Sequence, residues 1–318
     1  MAAHAGWQAP PSPGAPAWYQ GPHAKLAAAG QLSGDVAEHY EKVPLKCYLT
    51  THKQGWLWRE DTEVPLFVSH RRLSDAAHLY PATVDWALDS GGFTEIADFG
   101  RHRTSPAAYV QAVMRYDREI GRMEWAAPQD WMCEPQMISG GIIDGRRVPG
   151  TGLSLAEHQR RTVANFIELQ HLWAWECELH DYFSESPFMP VLQGWDPGDY
   201  LRCADMYDAA GVRLEDYPLV GLGSVCRRNK PSELLRVLEG VIPRLTPWIA
   251  LHGFGMKTTG LEAAGHLMTS ADSASWSYTA RREHIVLPGH THSHCGNCLT
   301  YAKLWRGKML AKVELAQA

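Results

Sequence analysis

The 318-residue chain has no apolar run long enough to span a bilayer, so no membrane-spanning helix is expected. Its first residues carry no basic region followed by an apolar core, and so do not resemble a secretory signal peptide. A basic excess is also missing: 30 Lys and Arg stand against 35 Asp and Glu, a net charge of -5. The total charge therefore does not advertise nucleic acid, although a local basic patch can still hold phosphates. Cysteines are few, seven, and mostly scattered singly. Cys295 and Cys298 alone stand close, as Cys-x-x-Cys. That distribution argues against a disulfide framework and for a reducing cytoplasm with a metal site. There is no internal repeat and no block of like charge. No glycine-rich strand-to-helix loop follows the first apolar run, which weakens a doubly wound dinucleotide-binding sheet, the alternative architecture.

Residues 1–35 are rich in Ala, Pro and Gly, as in APPSPGAPAW, and lack periodicity; they are expected to be flexible. Residues 36–318 are expected to form one domain. After residue 60, short apolar runs alternate with longer amphipathic stretches, the pattern of βα units around a parallel sheet. The runs are PLFVS (65–69), VDWALD (84–89), MEWAAPQD (123–130), FMPVLQG (188–194), YPLVGLG (217–223), PWIALHG (247–253) and HLMTSAD (266–272). Helices are expected over 106–121, 154–176, 197–211, 232–241 and 261–268. The second opens with a capping-box spacing, Ser154 to Glu157, and the third begins with Pro and ends in Gly. Seven strand–helix units predict a (β/α)8 TIM barrel with its eighth strand still to be located.

Nearly every run ends in a polar residue or a glycine: Asp89, Asp130, Gln193, Gly221 with Gly223, His252 and Asp272. Taken singly, each is an ordinary helix cap, turn residue or packing histidine. Six in phase with the strands are a candidate site, because the C-terminal strand ends of a barrel share one mouth. Paired carboxylates suit displacement at a sugar carbon, one attacking while another manages protons. Amides and glycines beside them suit the edge of a flat polar base.

Four strings carry a family resemblance. Asp89-Ser90-Gly91-Gly92-Phe93, Val191-Leu192-Gln193-Gly194, Val220-Gly221-Leu222-Gly223 and Asp272-Ser273-Ala274-Ser275-Trp276 resemble, in order, the hallmark segments of the tRNA-guanine transglycosylase superfamily. The resemblance covers roughly residues 60 to 300. It implies that Asp272 attacks C1′ and holds a covalent glycosyl intermediate, with Asp89 as general acid/base. It implies a guanine pocket lined by Ser90, Asp130, Gln193 and Gly221, with Phe93 and His252 at the faces of the base. It also implies a structural zinc. The family's usual Cys-x-Cys-x-x-Cys and distant His are here replaced by His290-Thr-His292-Ser-His294-Cys295-Gly-Asn-Cys298. Ser293 stands where the first Cys would be, and Cys295, Cys298, His290 and His292 are the expected ligands. His294 remains an additional candidate.

From its length, the chain is expected to lack the RNA-binding extension of archaeal members. It looks more similar to the deazapurine DNA-modification transglycosylases. The expected activity is exchange of guanine in DNA, or less favourably in tRNA, for a 7-deazaguanine such as 7-cyano-7-deazaguanine. Arg281 and Arg282 are the preferred phosphate contacts among several basic pairs, and a homodimer is a further expectation from the family. The rivals are a metal-dependent barrel hydrolase using His290, His292, His294 and Asp272, a non-catalytic nucleic-acid-binding relative, and the same exchange on a free nucleoside or nucleotide.

Overall fold

The computed structural model describes residues 44–316, apart from Asp144, Asn229 and residues 246–248. Segment 1–35, with its expected flexibility, lies outside the described residues. Eight parallel strands form one sheet: β1 (Lys46–Thr51), β2 (Leu66–Ser69), β3 (Trp86–Asp89), β4 (Met123–Ala126), β7 (Val191–Leu192), β8 (Val220–Leu222), β9 (Leu251–Gly253) and β10 (Ser270–Ser273). A short antiparallel hairpin, β5 (Gly141–Ile143) and β6 (Arg146–Val148), stands apart from it.

The strand order is β4-β3-β2-β1-β10-β9-β8-β7. The two edges meet through a parallel bridge between Ala126 and Phe188. There the Ala126 N–H donates to Pro187 O at 2.8 Å and the Met189 N–H donates to Ala126 O at 3.3 Å. The sheet thus curls round on itself as the expected (β/α)8 barrel. All seven expected strands are present. The eighth is β1, Lys-Cys-Tyr-Leu-Thr-Thr, which lies upstream of the point where the sequence rhythm begins.

Helices Pro106–Glu119, Leu155–Leu179, Pro197–Ala209, Pro231–Leu245 and Thr258–Ala264 fall where periodicity places them. The Ser154 hydroxyl caps its helix by accepting from the Glu157 N–H at 3.1 Å. The Glu157 carboxylate turns instead to Arg160 and Arg161, so only half of the capping box forms. The long C-terminal helix Leu299–Leu315 has no counterpart among the expected helices; it packs on β1 and on the helix Thr258–Ala264.

Strand alternation sorts the side chains into two cores. One set, including Leu49, Leu66, Val68, Trp86, Leu88 and Leu192, packs against the surrounding helices. The other fills the barrel: Tyr48, Phe67, Ala87, Trp125, Met189, Leu219 and Ala250. Two residues further along these strands, on the same side of the pleat, stand Thr50, Ser69, Asp89, Gly221 and His252. The apolar plug therefore ends where a polar layer begins, at the C-terminal mouth.

Candidate active site

Asp272 is 3% exposed and is held from both sides. Thr50 Oγ1, on the neighbouring strand, donates to Oδ2 at 2.6 Å, and the Gly255 N–H donates to Oδ1 at 2.7 Å. The Nε2 of His252 approaches Oδ1 at 3.4 Å. His252 is fully buried, with its ring between Trp125 and Phe254 at centroid distances of 4.5 and 4.7 Å. Its Nδ1 lies 2.9 Å from Ser270 Oγ. Burial pushes the His252 pKa down, and Asp272 opposes that shift. The imidazole therefore sits beneath the Asp272 carboxylate, inside the barrel.

Asp89 ends β3 and pairs in register with Ser69 of β2. Its Oδ1 accepts from the Gly91 N–H at 3.1 Å. Burial raises its pKa; the Gly91 N–H and Ser69 hydroxyl pull the other way, and the charge of Asp272 adds to the rise. A carboxyl that keeps its proton more readily than usual thus shares the mouth with the hydrogen-bonded Asp272 carboxylate. That is the arrangement acid–base work beside a nucleophile requires.

Beyond β4 and β7 the structure joins Asp130 and Gln193, with Gln193 Nε2 donating to Asp130 Oδ2. Burial pushes the Asp130 carboxyl up to about 6, with a further contribution from Asp89. Gln193 is fully buried, and its Oε1 accepts from Ser224 Oγ at 2.7 Å. Gly223 leaves the room that the Gln193 amide occupies, because a Cβ there would displace that amide. Ser90 is buried, and its Oγ accepts from the Gly92 N–H at 3.3 Å. The Gly221 N–H is committed to Pro190 O within the sheet, so Gly221 contributes clearance and no free donor. Phe93 is half-buried, with the Arg227 guanidinium 4.7 Å from its ring.

Arg281 and Arg282 are exposed at the end of helix Ser275–Arg282, which follows Asp272. Arg281 donates to Asn297 Oδ1 at 3.0 Å, while Arg282 pairs with Glu283 at 2.6 Å. Sequence reasoning missed Thr50, Glu134, Ser224 and Phe254. Glu134 is buried four residues past Asp130 and bonds Ser224 at 2.9 Å. An acid so soon after a strand end was the available signal for it. Thr50 gave none, because its strand was not recognised.

Among the described residues, His290, His292, Cys295 and Cys298 bring one ligand atom each to within 4.8 Å of one another. His292 Nε2 lies 3.0 Å from Cys295 Sγ, His290 Nδ1 lies 3.5 Å from Cys298 Sγ, and the two imidazole nitrogens lie 3.4 Å apart. A tetrahedral ion with metal–sulfur bonds of about 2.3 Å and metal–nitrogen bonds of about 2.0 Å demands edges of this size. The four residues could hold a metal ion, and their donor set suits zinc. His294 is outside the group; its Nδ1 accepts from the Gly296 N–H at 3.2 Å. Asp272 is outside it too, so the cluster does not assemble the catalytic centre of the hydrolase alternative. The Leu287 N–H points at Cys295 Sγ at 3.4 Å, and Ser277 Oγ donates to Gly296 O at 2.6 Å. The cluster thus staples the helix after Asp272 to the C-terminal helix.

Fold and site together define an α/β-barrel protein with a carboxylate-lined mouth and a C-terminal His/Cys cluster that could hold a metal. A comparison with curated proteins returned no match. The family model described as "DpdA: DeoxyPurine in DNA protein A" matches residues 44–317, and the chain belongs to that family. No helix among the described residues is long and apolar enough to cross a membrane.

Proposed function

We propose that this chain is a DNA base-exchange transglycosylase that replaces guanine by a 7-deazaguanine such as 7-cyano-7-deazaguanine. The observation that carries the reading is the pairing at one mouth of Asp272, bound by Thr50 and Gly255, with Asp89, whose burial favours its protonated form. Membership of a family described by deoxypurine in DNA supports DNA as the polymer.

In this reading an Asp272 oxygen attacks C1′ of the target nucleotide. The bond from C1′ to the base nitrogen breaks, its electron pair leaves with guanine, and Asp89 supplies the proton. An aspartyl–sugar ester remains. Asp89, now a carboxylate, takes the ring N–H proton of the incoming base, whose nitrogen displaces Asp272 from C1′. Asp130 and Gln193 grip the edge of the base, and Ser90 and Phe93 line its seat. His252 lies below Asp272 and orients it instead of stacking on the base. Attack within a duplex needs the nucleotide out of its stack, so single-stranded DNA is the better substrate. A zinc ion on His290, His292, Cys295 and Cys298 would supply structure, tying the helix after Asp272 to the barrel.

The test is release of labelled guanine from DNA in the presence of a 7-deazaguanine, with Asp272→Ala and Asp89→Ala as controls. Release by the wild type, loss in both variants and a DNA–protein adduct dependent on Asp272 are expected. Folded wild-type protein that exchanges no base would refute the reading. Exchange on tRNA or a free nucleoside but not on DNA would refute the choice of polymer.

A further inference from the structure

A chain of polar groups leads away from the barrel mouth through Asp130, Gln193, Ser224, Glu134 and Cys226, buried at Gln193, Ser224 and Glu134 and half-buried at its two ends. Its hydrogen count follows from elementary chemistry. A serine hydroxyl donates one hydrogen and accepts with two lone pairs. Ser224 Oγ lies 2.7 Å from Gln193 Oε1 and 2.9 Å from Glu134 Oε2, and it accepts from the Cys133 N–H at 2.7 Å. Were Glu134 a carboxylate, one hydroxyl hydrogen would face two buried acceptors. Ser224 could then pair only one of them, and the other would lose this hydrogen bond, which a buried site penalises.

A proton on Glu134 satisfies every member. Glu134 then donates to Ser224, Ser224 to Gln193 Oε1, and Gln193 Nε2 to Asp130. Cys226 Sγ donates to the other oxygen of Glu134 at 3.6 Å. The second consistent arrangement moves the proton to Asp130 and turns the Gln193 amide over. Its oxygen then faces Asp130, and its N–H2 faces Ser224, which donates to Glu134. The chain thus carries one proton and has two self-consistent states.

The backbone is shaped around this chain. Ser224 has φ 55°, a left-handed conformation that non-glycine residues adopt at a cost. Gly223 before it leaves room for the Gln193 amide. Burial raises both carboxyls. Asp130 faces His102 and Asp89, while Glu134 faces its own backbone N–H, the Ser224 hydroxyl, the thiol of Cys226 and the charge of Arg227, which oppose the rise that burial causes.

The two states offer opposite edges to a ligand. With the proton on Glu134, Asp130 presents a carboxylate and Gln193 an N–H. With it on Asp130, the acid hydrogen is used on Gln193, which presents its carbonyl oxygen. Guanine-type bases offer a ring N–H and an exocyclic amine beside a carbonyl, and fit the first state. We infer that Glu134 is a specificity-setting positioning residue. By holding the proton of this chain it keeps Asp130 a carboxylate and Gln193 turned for a guanine-type edge. The inference rests on the base-exchange reading for its ligand, but the proton assignment can be tested without catalysis.

Infrared difference spectra of the full-length protein at neutral pH should show a carboxylic-acid band that disappears in Glu134→Gln and persists in Asp130→Asn. Absence of the Glu134-dependent band, or its loss in Asp130→Asn instead, overturns the inference whether or not exchange is detected. In the exchange assay, Glu134→Ala should raise KM for guanine about tenfold with a smaller change in kcat. Glu134→Gln should recover most of that loss, because its amide N–H can donate to Ser224. Wild-type exchange with an unchanged KM in Glu134→Ala would overturn this inference and leave base exchange standing. Failure of the wild type to exchange would instead remove the reading of the ligand.

Discussion

Thr50 Oγ1 donates to Asp272 Oδ2 at 2.6 Å although the two residues are 222 positions apart. The contact exists because β1 and β10 are neighbours in the closed barrel, with Tyr48 opposite Asp272 in register. In the proposed base-exchange reaction, Thr50 would therefore fix which oxygen of Asp272 faces the sugar. Thr50→Val keeps the branched shape and removes the donor. A hydrogen bond to a charged group contributes about 1.5–3 kcal/mol, so kcat for base exchange should fall by roughly ten- to a hundredfold. Unchanged kcat in a folded Thr50→Val protein would exclude this role.

Asp130 should impose an acid limb on base binding. Burial pushes its carboxyl above the ordinary aspartate range, up to about 6. Below about 6 it carries a proton and can no longer accept from two base donors, so KM for the base should rise as pH falls. The stability effect has the opposite sign. The folded state binds this proton more tightly than the unfolded chain, so the contribution is complete below the unfolded value and is lost as pH rises through about 6. Asp130→Asn should therefore be more stable than the wild type at neutral pH, by roughly 1–3 kcal/mol, while losing base binding. Thermal melts at pH 5 and pH 8 check this. A difference between the two proteins that does not change with pH would contradict it.

The barrel was legible because its buried parallel strands are short apolar runs and its helices are strongly periodic. β1 escaped because Lys46, Thr50 and Thr51 surround only three apolar residues, and periodicity cannot separate that from a loop. The mouth residues were legible as polar endings on apolar runs. Their partners were not: Ser224 and Glu134 are 90 positions apart, and nothing local marks either as a bonding partner. The same limit applies to His252. Its phase places it at the mouth, but whether the ring points up to a ligand or down between Trp125 and Phe254 depends on packing between strands.

The His/Cys cluster predicts one tightly held zinc per chain. Cys298 stands at the N-cap position of the C-terminal helix, and the Cys295 N–H donates at 2.7 Å to Ile285 O, just past helix Ser275–Arg282, where the Ile285 N–H in turn donates to Ala280 O at 3.0 Å. Metal loss should therefore loosen that end of the barrel. Cys298→Ser should lower both metal content, by elemental analysis, and the melting temperature. Chelation should reduce activity in step with the loss of structure. A chelated protein that keeps its full melting temperature but no activity would point to a catalytic metal. A fully folded, metal-free protein would remove the site altogether.

DNA contact should be carried by the ridge above the ends of β1, β2 and β10. Burial lowers the His52 pKa first, and the nearby charges of Arg72 and Arg281 lower it further, so both guanidinium groups lie within electrostatic reach of His52. Arg281 and Arg282 are neighbours in sequence but not equivalent. The Arg282 guanidinium is paired with Glu283 and lies 5.6 Å from the Tyr278 ring, whereas Arg281 bonds a neutral amide, Asn297. The charge of Arg281 is thus uncompensated by that partner and available to a phosphate. Each phosphate neutralised contributes about 0.9 to the slope of log binding constant against log salt for duplex DNA, and about 0.7 for a single strand. Arg281→Ala should reduce the slope by about 1 on duplex DNA and weaken binding alike on all sequences. Arg282→Ala should change the slope by less. Equal effects of the two variants, or a wild-type affinity indifferent to salt, would move the DNA path away from this ridge.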